Sequence, residues 1–186
     1  MLESLLSEAA RYAEFCLRKS GQIPPTMMAQ TEEGLLMFLP DKMGDTKAKD
    51  DFVTKIRLIT ASYAASAVVL VLESWMTTAK KGEKLDMTPP SESHDRQEMV
   101  VLIGEGGGEH RPRFLPIVRL DNGKFWNLGE PQEMQADSFK GRFTELLPPK
   151  LPDPSIRETG KALLKAMGVE LNLDRKSTRL NSSHRT

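Results

Sequence analysis

Cysteine occurs once in this chain, at Cys16, which excludes an intrachain disulfide and a cysteine-built zinc site. Aromatic residues make up only 6% while methionine numbers ten, so the core must be aliphatic and methionine-rich. No apolar run approaches the roughly 18 residues that a membrane-spanning helix needs. Residues 1–20 lack the pattern of a signal peptide, because Glu3, Glu8 and Glu14 interrupt them and no basic start precedes an apolar stretch. There is no Gly-x-Ser-x-Gly nucleophile elbow, no dinucleotide glycine fingerprint and no Gly-Lys-Ser or Gly-Lys-Thr phosphate loop. These absences leave a soluble, reduced, cytoplasmic protein as the expectation, with no cofactor, no metal and no membrane partner.

The C-terminal tail needs separate treatment. Asp174 to His184 reads Asp-Arg-Lys-Ser-Thr-Arg-Leu-Asn-Ser-Ser-His and looks like the in-frame translation of a common sequencing adapter. Residues 174–186 are therefore expected to be a non-native tail, following a single domain over residues 1–173 whose own C-terminus lies at or beyond Leu173. Setting the tail aside removes four basic residues and one acidic one from the 26 of each, leaving 22 basic against 25 acidic, a net of −3. A mildly acidic body has no global pull on nucleic acid or anionic lipid.

Ala67-Val68-Val69-Leu70-Val71-Leu72 is apolar at both parities, which predicts a strand buried on both faces at the centre of a sheet, running to about residue 77. Before it, Leu2, Leu5, Leu6, Ala9, Ala13, Cys16 and Leu17 share one helical face over residues 2–19, stopped by Ser20-Gly21. Cys16 on that face reads as a small buried hydrophobe. Two short apolar runs, 26–30 and 35–39, flank Thr31-Glu32-Glu33-Gly34 as a hairpin. Asp45 or Thr46 can cap a second helix with Phe52, Ile56, Ile59 and Tyr63 as its buried stripe. After the central strand comes a long polar connection over residues 80–96, then strands over 99–103, 113–120 and 124–128. Pro112 and Pro116 share a parity, so their strand belongs at an edge or at a bulge. Asp137 is positioned to cap a short helix carrying Phe139, Phe143, Leu146 and Leu147. A last helix starts at Asp153-Pro154, with Ile156, Gly160, Leu163, Leu164 and Met167 as its inner face. The order predicts an α+β domain: a mostly antiparallel sheet, central strand about 67–77, packed by N-terminal, middle and C-terminal helices.

Few residues carry chemistry. Glu73 follows six apolar residues, and a carboxylate there needs a cation or hydrogen-bond donor. Arg96 is the expected partner, in an ion pair that pins the long connection. The functional alternative is a polar cluster of Glu73, His94, Asp95 and Arg96, beside Trp75, as catalytic or ligand-binding residues. His94 and His110 are the body's two histidines, and neither shows metal-ligand spacing. The glycines of 104–108 precede a β-like run instead of a helix, so they read as a hairpin turn. Arg111, Arg113 and Arg119 lie near Trp126 in a late hairpin, a pattern able to hold single-stranded nucleic acid. The body's acidity favours a charged, protected edge there instead.

Glu73-Ser74-Trp75, then Pro89-Pro90-Ser91-Glu92 and Asp95-Arg96, followed by a β-hairpin, resembles small uncharacterised bacterial proteins over the middle third of the chain. The resemblance implies a bacterial or phage origin and no activity. The expectation is a non-enzymatic accessory module acting through a protein partner or self-association. It carries the further expectation that residues 80–96 and the late hairpin form a rim with no deep polar cavity.

Overall fold

The computed structural model describes residues 1–40, 43–77, 96–132 and 142–174. Helix α1 spans Leu2–Ser20, and the hairpin strands β1 and β2 span Thr26–Thr31 and Gly34–Phe38. Helix α2 covers Thr46–Ser62. Strands β3 (Ala67–Thr77), β4 (Arg96–Gly106), β5 (Glu109–Arg119) and β6 (Phe125–Leu128) follow. Helix α3 spans Pro154–Ala166, and β7 covers Asn172–Asp174. All seven strands join one antiparallel sheet in the order β6-β5-β4-β3-β1-β2-β7. The fold is α+β, and β3 is the fourth strand of seven, with its first five residues buried.

The double parity of β3 is explained by what covers each face. Ala67, Val69 and Val71 pack with the buried stripe of α1, which comprises the seven residues its spacing marks. Val68 and Leu70 face the other way, into a second core with Phe52, Ile56 and Ile59 of α2 and Leu164 of α3. Helix α1 ends where Gly21 takes a left-handed φ of 78°, and α2 begins where the Asp45 side chain accepts from the Ala48 N–H at 2.7 Å. Among the described residues no helix is long and apolar enough to cross a membrane.

The prolines of β5 act as edge protection. The carbonyls of Phe114 and Pro116 accept from Gln132 and Gly129 on the side away from β4. Pro112 and Pro116 share that parity, so their missing N–H groups face the outer edge. Strand β6 pairs only with Ile117–Arg119, with a register shift between Val118 and Arg119.

Two expectations need correction. Over residues 142–147 the chain forms a turn and irregular segments, not a helix, and 133–141 lies outside the described residues. Side chains from α2 and β4 take up this segment's backbone groups, as described below. The inner face of α3 is narrower than its pattern implies. Gly160 and Leu164 are buried, but Ile156, Leu163 and Met167 are 59%, 50% and 45% exposed. At Gly160 the helix approaches α2 so closely that a Cβ would sit 2.1 Å from the Ser62 hydroxyl oxygen. Strand β7, where no element was expected, pairs with β2 and places Asp174 opposite Leu35.

Candidate functional site

Two polar sites flank the β3–β4 ladder, one at each end and on opposite faces. The first contains Glu73, on the α1 face beyond the end of that helix. Glu73 lies opposite Val100, and Arg96 lies opposite Thr77, four positions further along. The Glu73–Arg96 ion pair is therefore not formed. The Glu73 carboxylate accepts from the Ile23 N–H at 2.8 Å, and the Arg96 guanidinium lies 4.6 Å from the centre of the Trp75 ring. His94 and Asp95 lie outside the described residues.

Arg119 is the cation of this first site. It grips Glu98 with two hydrogen bonds of 2.6 Å and donates to the Gly21 carbonyl at 2.9 Å, joining the end of α1 to the sheet. Glu98 is held below the usual carboxylate range, chiefly by its hydrogen bonds from Arg119. Partial burial, reinforced by the neighbouring Glu98 charge, pushes the Glu73 carboxyl up. The two carboxyls thus form an unequal pair in which Glu73 is the one that holds a proton more readily.

The other arginines of the late hairpin are also engaged. Arg113 bonds to Glu3 of α1, and Arg111 contacts Glu3 at 3.4 Å and Glu109 at 2.8 Å. Trp126 is 58% exposed.

The second site was not assembled from the sequence. It is a cleft of about 2000 Å³ at the opposite end of the ladder, lined by the β4–β5 turn, α2, and residues from 142 to 157. The turn is formed by Gly107 and Gly108, whose φ values of 62° and 79° fit the tight hairpin expected of the glycine cluster. It places Glu105 directly opposite His110, both on the α2 face of the sheet.

Glu105 is 8% exposed, and its Oε2 accepts from the Leu146 N–H at 2.7 Å and the Leu147 N–H at 3.2 Å. From the other side, Arg57 donates to the Thr144 and Glu145 carbonyls at 2.9 and 3.0 Å, and Thr60 donates to the Leu146 carbonyl at 2.6 Å. The peptide group joining Glu145 to Leu146 is thus gripped at both ends, its carbonyl by Arg57 and its N–H by Glu105. Glu145 is held at φ 56°, a left-handed value costly for a residue with a Cβ. These contacts explain why residues 144–147 are ordered without being helical.

The clamp does not use every polar atom at the cleft. Glu105 Oε1, His110 Nε2 and Arg157 Nε are buried without a hydrogen-bond partner. Among the described residues these are the only buried side-chain nitrogens or oxygens in that condition, and all three residues line this one cleft. Buried polar groups are nearly always paired, and each exception costs about 1–3 kcal/mol. The described residues contain no group of three or more histidine, cysteine, aspartate or glutamate side chains able to hold a metal ion.

Sequence reasoning noted His110 and the glycine turn but assigned neither to a site. The available signal was Glu105 itself, a charged residue closing the apolar run Met99–Ile103. No family model, curated protein sequence or solved structure matches this chain.

Proposed function

We propose that this protein binds a small polar ligand in the cleft between the β4–β5 turn and α2. One observation carries this reading: the convergence of unpartnered Glu105 Oε1, His110 Nε2 and Arg157 Nε on a single cleft. A protein that only needed the clamp on residues 144–147 would gain stability by replacing the idle atoms with apolar ones. A ligand that draws these groups out to meet it relieves the cost of leaving them unpaired. Two residues with left-handed backbone, Ala64 at φ 49° and Glu145 at φ 56°, also line the cleft, and such strain gathers at ligand sites.

This reading replaces an accessory module without a polar cavity by a ligand binder. It also moves the proposed site from Glu73 and Arg96 to Glu105 and His110. The test is heteronuclear NMR of the full chain titrated separately with acetate, glycolate, inorganic phosphate, ethylene glycol and methylamine. Saturable shifts of the Leu146 and Leu147 amides, which bond to Glu105, are expected with at least one probe. No shift at these amides with any probe would overturn the reading.

A further inference from the structure

The cleft's charges go further and specify the chemistry of what it holds. Resting on the reading above, we infer that the ligand is a small oxyanion carrying a hydroxyl or amine donor, its negative group met by Arg57 and Arg157 and its donor by Glu105. The cleft is lined by three arginines, and only Arg142 has a carboxylate partner among the described residues, Asp50 at 2.6 Å. Arg57 bonds to two backbone carbonyls, which orient its guanidinium without neutralising it. Arg157 keeps its Nε buried and unpartnered.

On the acidic side, Asp50 is taken by Arg142 and Glu109 by Arg111, while Glu32 and Glu145 are exposed to water. Glu105 is the one carboxylate buried in the cleft, and its Oε1 can only accept. The cleft therefore offers one partly buried guanidinium at Arg157, an exposed one at Arg57 that lies open to water as Glu32 and Glu145 do, and one buried acceptor. That set matches an anion that also donates, and an anion without a donor leaves Oε1 unsatisfied.

Arg57 and Glu105 grip opposite ends of one peptide group. Bonds of 3.0 and 2.7 Å plus the width of that group put the guanidinium and carboxylate on the order of 8 Å apart, with the peptide group itself on the direct line between them, so a ligand reaching both passes beside it. The shared chemistry covers hydroxy or amino carboxylates and phosphate esters of polyols, and His110 is placed beside Glu105 to meet the same donor or its neighbour.

The experiment compares probes on the full chain by the same Leu146 and Leu147 amide shifts. Glycolate and glycine represent carboxylates with a donor, glycerol 3-phosphate the phosphate esters, and acetate, ethylene glycol and methylamine the controls. Glycolate, glycine or glycerol 3-phosphate should bind about tenfold or more tightly than acetate, because a hydrogen bond to a buried charge is at stake. Whichever of the three binds best identifies the source of the negative group.

Glu105→Gln keeps an oxygen for the two amides but presents an NH₂ where Oε1 was; the glycine ammonium can only donate, so its preference over acetate should be erased while acetate still binds, whereas a hydroxyl can turn to accept from the NH₂. Arg157→Gln should weaken all anions about tenfold and leave ethylene glycol unchanged. If methylamine or ethylene glycol binds as tightly as the donor-bearing anions, the inference is overturned while the cleft remains a ligand site. A preference for glycine over acetate that survives Glu105→Gln overturns it in the same way. Silence from every probe overturns both readings.

Discussion

Glu73 lies opposite Val100 just past the middle of the β3–β4 ladder, and Glu105 lies opposite Val68 near one end. Both carboxylates accept from backbone N–H groups, Glu73 from Ile23 and Glu105 from Leu146 and Leu147. What covers each sheet face makes them different. Helix α1 ends at Ser20, so the Glu73 end of its face is left to charged side chains, Glu98 and Arg119, with water nearby. Glu105 lies under α2 and residues 144–147 and is buried, with one oxygen fully engaged and the other idle. Electrostatic balance dominates at the first site, and it adjusts to pH and substitution. At the second, hydrogen bonding to backbone dominates, so one oxygen serves the fold and the other is left without a partner.

The largest effect should come from Glu105→Ala, which leaves two amides of the 144–147 segment without their acceptor. A loss of about 3 kcal/mol is expected, seen as a lower urea midpoint with little change in slope. A loss below about 1 kcal/mol would mean water replaces the carboxylate easily, and the contrast with Glu73 would collapse.

Arg119→Met tests the other end. It removes the cation from Glu98 and the link to the Gly21 carbonyl and should cost about 1–2 kcal/mol at neutral pH, discounted for partial exposure. Because the penalty arises from two neighbouring carboxylates, it should shrink on acidification. A loss independent of pH would assign the role of Arg119 to packing alone.

Glu73→Gln should stabilise. The amide oxygen still accepts from Ile23, and the NH₂ donates to Glu98 without a like charge. A rise in Tm of about 2–4 °C at neutral pH is expected. The sign follows from the raised folded-state pKa of Glu73. Its contribution is fully present below the unfolded pKa and is lost as pH rises through the folded one. Glu98 runs the other way: with its pKa lowered, its contribution is present above the unfolded pKa and is lost as pH falls through the folded one. The advantage of Glu73→Gln over the wild type should therefore fade on acidification through the raised pKa of Glu73. An advantage that grows in acid would reverse the assignment within the pair.

The smallest effect is expected at Arg113, whose bond to Glu3 joins largely exposed groups. Arg113→Ala should stay within about 0.5 kcal/mol of wild type by urea unfolding, and salt should erase the difference.

Most of the scaffold was legible because its signals are local. The period-3.6 stripe of α1, the double parity of β3 and the Gly107–Gly108 turn each report their own burial or backbone geometry, whatever packs against them. The sites were less legible. Glu73 was readable as a carboxylate in need of a partner, but register decided that the partners are Ile23, Glu98 and Arg119 instead of Arg96. The apolar positions of 142–147 fit a helix, yet Arg57, Thr60 and Glu105 supply that segment's hydrogen bonds from distant elements.

By itself, then, the sequence determined the α+β class, the antiparallel hairpins, the central place of β3 and the irregular pairing on the proline-bearing side of β5, which lies one strand in from the margin with a register shift against β6. Periodicity, turn chemistry and missing donors act within a few residues and need no partner to be read. Only the tertiary structure decided which carboxylate meets which cation, that α3 touches α2 through Gly160 and Leu164, and that Glu105, His110 and Arg157 line one cleft. Those outcomes depend on strand register and on which helix covers which face. Both are set by the packing of the whole chain, and they bring together residues as far apart as Arg57 and Glu145.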